Sequence, residues 1–129
     1  MSVSRLLLAS ALALASVGAP AAVFINEIHY DDSTAAGDVG EAIEVVATSG
    51  ESLADYDLVL YNGSNSSVYD TDAVPAGSAG ACGGTVTIGS VSYPSNGVQN
   101  GAPDGVALVQ RASSTVIQFL SYEGTMTAS

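Results

Sequence analysis

From Val23 onward the apolar residues alternate. They fall at every second position through a series of short runs, and no stretch of about ten residues keeps the period of an amphipathic helix. A chain that hides apolar groups at a two-residue period can bury them only on one face of a sheet. Val23 to Tyr30 sets Phe24, Ile28 and Tyr30 on one face and Val23 and Ile25 on the other. Glu41 to Ala47 follows, with Ile43 and Val45 together, and then Tyr56 to Tyr61, with Tyr56, Leu58 and Leu60 together. Ser67 to Thr71, Thr85 to Val91, Val106 to Gln110 and Thr115 to Tyr122 complete the set of candidate strands.

The punctuation between these runs is turn chemistry. Asn62-Gly63 is a tight-turn signal, since both residues tolerate positive φ. Residues 73–84 are rich in Gly, Ala and Pro and read as irregular. Tyr93 to Asp104 is a long turn-rich loop, and Arg111 to Ser114 joins the last two runs as a hairpin. Short strands at this spacing predict an all-β antiparallel β-sandwich, as in immunoglobulin-like domains.

Residues 1–21 carry the pattern of a signal peptide. Arg5 supplies the positive charge, Leu6 to Val17 is apolar but shorter than the ~20 residues of a membrane span, and Ala19-Pro20-Ala21 supplies small residues for cleavage. The expected mature chain begins near Ala22, is secreted and carries no membrane span. It is a single domain of roughly 100 residues.

Charge narrows the function classes. The sequence holds 13 Asp and Glu against 2 Lys and Arg, and Arg111 alone remains once the leader is removed. Neutralising phosphates requires a patch of Lys and Arg, so the composition argues against direct nucleic-acid binding. Acidity in a secreted domain serves solubility and leaves divalent cations as candidate ligands. Cys82 is the single cysteine, so no intrachain disulfide forms; it reads as filler in the Gly80 to Gly84 stretch.

Four acids, Asp31, Asp32, Asp38 and Glu41, gather around the first loop and are the candidate metal ligands, for calcium, although their spacing is not that of an EF-hand. Asp70 and Asp72 are a thinner second candidate. Glu27 and Glu44 sit within apolar strands and read as structural carboxylates. A catalytic pair would need a cleft and one raised pKa. His29 is the only histidine, with no Gly-x-Ser-x-Gly or His-x-x-x-His motif to make it catalytic. Asn62-Gly63-Ser64 and Asn65-Ser66-Ser67 fit the N-glycosylation pattern.

Four segments then align in order. They are Ile25-Asn26-Glu27-Ile28, Gly40 to Val45, Leu53 to Gly63, and Pro103 to Val109 with Val116 to Gly124. Together they resemble the lamin-tail domain in its bacterial secreted form. More narrowly, they are similar to the lamin-tail domain that precedes an endonuclease/exonuclease/phosphatase domain in extracellular nucleases. The resemblance covers nearly the whole of residues 22–129. It implies an immunoglobulin-like sandwich that binds or targets and does not catalyse, with no catalytic or cofactor-binding residues. Its partner would be a protein, a glycan or a catalytic domain in cis. It also implies a domain lacking its C-terminal end, since the family continues past the segment resembling Tyr122-Glu123-Gly124. The Gln110 to Ser114 turn departs from the family in lacking Asp and Gly. The alternative reading is a free-standing surface or matrix module with structural or adhesive function, stabilised by calcium.

Overall fold

The computed structural model describes residues 22–32, 37–48, 50–80, 84–101 and 103–127. The proposed leader and Cys82 lie outside the described residues. Eight strands form in chain order: β1 (Val23–His29), β2 (Ala42–Thr48), β3 (Tyr56–Asn62), β4 (Ser67–Ala73), β5 (Ser78–Ala79), β6 (Val86–Ser92), β7 (Asp104–Gln110) and β8 (Thr115–Tyr122). They pair antiparallel into two four-stranded sheets, β1-β2-β6-β5 and β4-β3-β7-β8. The all-β expectation holds.

One apolar core serves both sheets. Val23, Ile25, Ile43 and Val45 from the first meet Tyr56, Leu58, Leu60, Val106 and Leu108 from the second. Ile43, Val45, Leu58, Leu60, Val106 and Leu108 are fully excluded from solvent. Each such aliphatic side chain contributes about 1.5–3 kcal/mol relative to exposure. The chain changes sheet three times. It crosses through a 3-10 turn at Leu53–Asp55, through the buried Val74, and through the 93–103 loop. The second crossing presses on Gly89, where an added Cβ would lie 2.8 Å from the Pro75 carbonyl oxygen and 3.0 Å from Leu53 Cδ1. A side chain there would displace the crossing.

Every sheet edge is blunted. Three of the four edge strands carry an extra residue: Asn26 in β1, Tyr69 in β4 and Ile117 in β8, each at a break in register. The fourth, β5, is two residues long. Bulges and very short strands spoil the template that an open edge offers to another chain.

The bulge at Asn26 corrects the predicted faces of β1. Alternation had put Val23 and Ile25 opposite to Ile28 and Tyr30. The extra residue inverts the parity, so that all four pack on the core while Phe24 stays exposed. Two further differences concern turns. Asn62 is the last residue of β3, and the loop to β4 spans residues 63–66 with its positive φ at Ser66. Asn62 acts there through its side chain, whose Oδ1 accepts the Ser64 N–H at 2.9 Å. Within 73–84, read as irregular, Ser78 and Ala79 pair with Ile88 and Thr87 as β5.

The two sheets are also joined at one side. The Ile25 N–H on the outer edge of β1 donates to Gln118 Oε1 on β8 at 2.7 Å. At the hairpin of β7 and β8, Arg111 bonds both carboxylate oxygens of Asp57 and the carbonyls of Ala54 and Tyr56. The turn closes with Ser114 at φ 52°, taking the left-handed conformation that a Gly would take at less cost.

Candidate functional site

The features that set this domain apart gather at one end of the sandwich, where β1, β3, β6 and β8 finish and β2, β4 and β7 begin. The 93–103 loop crosses that end from one sheet to the other. This loop carries two Asn-Gly pairs and, among the described residues, no hydrogen-bonded ladder of its own, so its shape depends on groups outside it.

Glu41 supplies the main clamp. Its side chain is 1 % exposed, and its two oxygens accept backbone N–H groups of the loop, Oε1 from Asn96 and Oε2 from Val98, the latter at 2.6 Å. Its own carbonyl accepts the Tyr93 N–H at 2.8 Å. The clamp seats Val98 in the core, fully buried. Gln99 ties the same loop to the other sheet. Its N–H donates to the Tyr69 hydroxyl at 3.0 Å, its carbonyl accepts from the Tyr122 hydroxyl at 2.9 Å, and its Oε1 accepts from Asn62 Nδ2 at 2.6 Å. Asn100 adds a third tether, donating to Asp38 Oδ2 at 3.1 Å.

Four tyrosines line this end. Tyr30 and Tyr122 stack with ring centroids 4.6 Å apart and planes tilted by 39°. Tyr69 and Tyr93 complete the group, and all four are partly exposed while packing on the core. Burial, aided by nearby carboxylates, pushes the phenols of Tyr69, Tyr93 and Tyr122 above their ordinary value of 10.0. Their hydroxyls therefore stay protonated as hydrogen-bonding groups. Tyr93 and the inward Asp72 Oδ2 stop short of a mutual hydrogen bond, yet the carboxylate's charge reinforces the protonated phenol. Asp104, 2 % exposed and the register partner of both Asn62 and Tyr122, accepts the Gly63 N–H through Oδ1 at 2.9 Å and leaves Oδ2 without a partner. Chemically, this end is a fixed aromatic surface with immobilised hydroxyl, amide and carboxylate groups. It is suited to stacking and hydrogen bonding.

Of the four acids proposed from sequence as metal ligands, Asp32 and Asp38 meet. The Asp32 N–H donates to Asp38 Oδ1 at 3.0 Å, and Asp32 Oδ2 accepts from Val39 N–H at 3.2 Å. Asp32 also pairs with His29, Nε2 to Oδ1, at 3.3 Å. The Val39 N–H, and then His29, hold the Asp32 carboxyl below its usual 3.8. Glu41 is committed to the loop, and Asp31 is exposed. Asp70 accepts the neighbouring Thr71 N–H at 2.8 Å. Among the described residues no three His, Cys, Asp or Glu side chains converge to hold a metal. Glu27 and Glu44 are register partners across β1 and β2, and Glu44 Oε1 accepts from Asn26 Nδ2 at 2.7 Å.

Arg111 is the only Lys or Arg among the described residues, and it is engaged with Asp57 and two carbonyls. Among these residues no helix is long and apolar enough to cross a membrane.

The sequence marks 93–102 only as a loop, places Asp104 and Tyr122 only within the resembling segments, and singles out neither Gln99 nor the tyrosines as a site. One signal was available: Val98 is a lone branched apolar residue in YPSNGVQNGAPD, which marks an anchor inside a polar loop. The fold and this end define an all-β, two-sheet domain with a clamped aromatic face. Set against known proteins, the chain matches no protein-family model, no curated protein and no solved structure.

Proposed function

We propose that this chain is a secreted, non-catalytic binding module: an immunoglobulin-like sandwich of the lamin-tail type, belonging to an extracellular nuclease-type protein and exported by residues 1–21. The resembling segments support this reading by their placement. They fall on β1, on β2, on the 3-10 turn with β3, and on β7 with β8, which make up most of the two-sheet frame.

The observation that carries the binding role is the tyrosine end. Tyr30, Tyr69, Tyr93 and Tyr122 present ring surface to solvent on a base fixed by Glu41 and Gln99. Tyrosine supplies broad contact area at little cost in side-chain entropy and is enriched where proteins meet partners. Sugar rings stack on such faces while their hydroxyls bond to exposed amides such as those of Asn96 and Asn100, so a surface glycan suits this end as well as a protein does. A nucleic-acid backbone does not, because the one guanidinium among the described residues is already engaged.

The test is chemical-shift mapping on the isotope-labelled chain, titrated with a panel of soluble extracellular oligosaccharides and with the purified nuclease domain of the resembling type. Perturbations centred on the four tyrosines and 93–101 are expected with one of them. A response centred on the outer face around Phe24, Val46 and Ile88 would move the binding role elsewhere. Silence from every probe would remove the glycan and cis-domain partners.

A further inference from the structure

We infer that Asn100 is a deamidation site built into the clamped loop, the one of the three Asn-Gly pairs that the fold leaves able to react, and that its conversion releases the tether to Asp38. The inference is independent of the binding-module reading.

Asn-Gly pairs are chemically labile because Gly leaves the following amide nitrogen unhindered. That nitrogen gives up its proton and attacks the Asn side-chain Cγ. The N–Cγ bond forms, the Cγ–Nδ2 bond breaks, and ammonia leaves with a proton. Water then opens the cyclic imide at either carbonyl, giving aspartate or isoaspartate. The reaction needs a free Gly N–H and room for the backbone to turn.

The pairs are Asn62-Gly63, Asn96-Gly97 and Asn100-Gly101. At the first, the Gly63 N–H is bonded to Asp104 Oδ1 at 2.9 Å, and Asn62 is held by Gln99 and Ser64. An added Cβ at Gly63 would sit 1.5 Å from the Pro103 carbonyl oxygen, so the backbone there has no room to move. At the second, the Gly97 N–H is bonded to the Pro94 carbonyl at 2.8 Å, and the Asn96 N–H is held by Glu41. At the third, Asn100 and Gly101 are both exposed, and among the described residues the Gly101 N–H has no such bond. Among the described residues the restraint is on the leaving group, Nδ2 to Asp38 Oδ2.

Conversion inverts that restraint. A donor 3.1 Å from a carboxylate that is 9 % exposed becomes a second carboxylate. Like charges at that distance repel, and isoaspartate also lengthens the backbone. The loop then loses its Asp38 tether and keeps its bonds to Glu41 and those that Gln99 makes to Tyr69, Tyr122 and Asn62.

The experiment is peptide mapping by mass spectrometry after incubating the folded chain at mildly alkaline pH, beside the chain unfolded in denaturant. In the folded chain, amide loss is expected at Asn100 with Asn62 and Asn96 intact; in the unfolded chain, at all three. Gly101→Ala should slow the loss many-fold without harming the fold, since the added Cβ meets only Asp104 Oδ2 at an ordinary 3.6 Å. Asn100→Asp should lower the melting temperature, and Asp38→Asn in that background should recover it. Loss at Asn62 or Asn96 as fast as at Asn100 in the folded chain would overturn the assignment. An Asn100→Asp chain that melts like the parent would overturn its consequence.

Discussion

Glu41 Oε2 accepts the Val98 N–H at 2.6 Å across 57 residues of chain, and the bond is buried. It joins the start of a strand in one sheet to a loop that ends in the other. A carboxylate that accepts two backbone N–H groups satisfies donors that would otherwise be buried unpaired. Glu41→Ala leaves the Asn96 and Val98 amides without their acceptor. We predict a loss of about 2–4 kcal/mol, because each orphaned buried donor costs about 1–3 kcal/mol. A urea titration reads it as a lower midpoint with an unchanged slope. A midpoint equal to that of the parent would mean that the loop is held by other groups.

His29 and Asp32 form a pH-dependent pair. The hydrogen bond to Asp32 raises the His29 imidazole above its ordinary 6.5, while the Val39 N–H and His29 lower the Asp32 carboxyl below 3.8. The raised group stabilises the fold below 6.5 and loses that contribution as pH rises through its folded value. The lowered group stabilises above 3.8 and loses its contribution as pH falls through its folded value. The pair therefore acts mainly between those limits. Because His29 is the only histidine, its ring protons give one clean NMR titration. The midpoint should lie above 6.5 and fall in Asp32→Asn. An unchanged midpoint would break the assignment.

The tyrosines predict the alkaline limit of the fold. Burial raises Tyr56, Tyr69, Tyr93 and Tyr122 above 10.0. A raised phenol favours the folded state below its unfolded value and opposes it above. Absorbance titration should show these four phenols ionising only as the chain unfolds, with hysteresis on return. Smooth reversible ionisation of these four near pH 10, with the fold retained, would show that their phenols are open to water.

Calcium tests the acidic loop directly. Glu41 and Asp38 already accept from Asn96, Val98, Asp32 and Asn100. These bonds already occupy lone pairs that a cation would have to share. Melting temperatures with calcium and with a chelator should coincide. A calcium-dependent rise that is abolished in Asp38→Asn would place a cation site in this loop and favour a calcium-stabilised structural module.

Strands were legible in the sequence where alternation was undisturbed. Leu58 and Leu60, or Val106 and Leu108, declare their faces by spacing alone. Legibility failed where one residue was inserted. Nothing in Ile25-Asn26-Glu27 announces a bulge, because the bulge is set by pairing with β2, and so the faces of Ile28 and Tyr30 were inverted. β5 was missed because Ser78 and Ala79 have no pattern, and only the proximity of Ile88 and Thr87 makes them a strand. The acids were visible as acids. Their roles depended on partners up to 62 residues away, as for Asp38 with Asn100. The four tyrosines lie on β4, β8 and at the ends of β1 and β6, and only the topology gathers them.

We propose that the polar groups of this domain hold a fold and a binding face and do not turn over a substrate. The most direct measurement incubates the purified chain with supercoiled plasmid and magnesium beside a boiled control. No nicking above the control is expected. Nicking that survives repurification and disappears on boiling would contradict it.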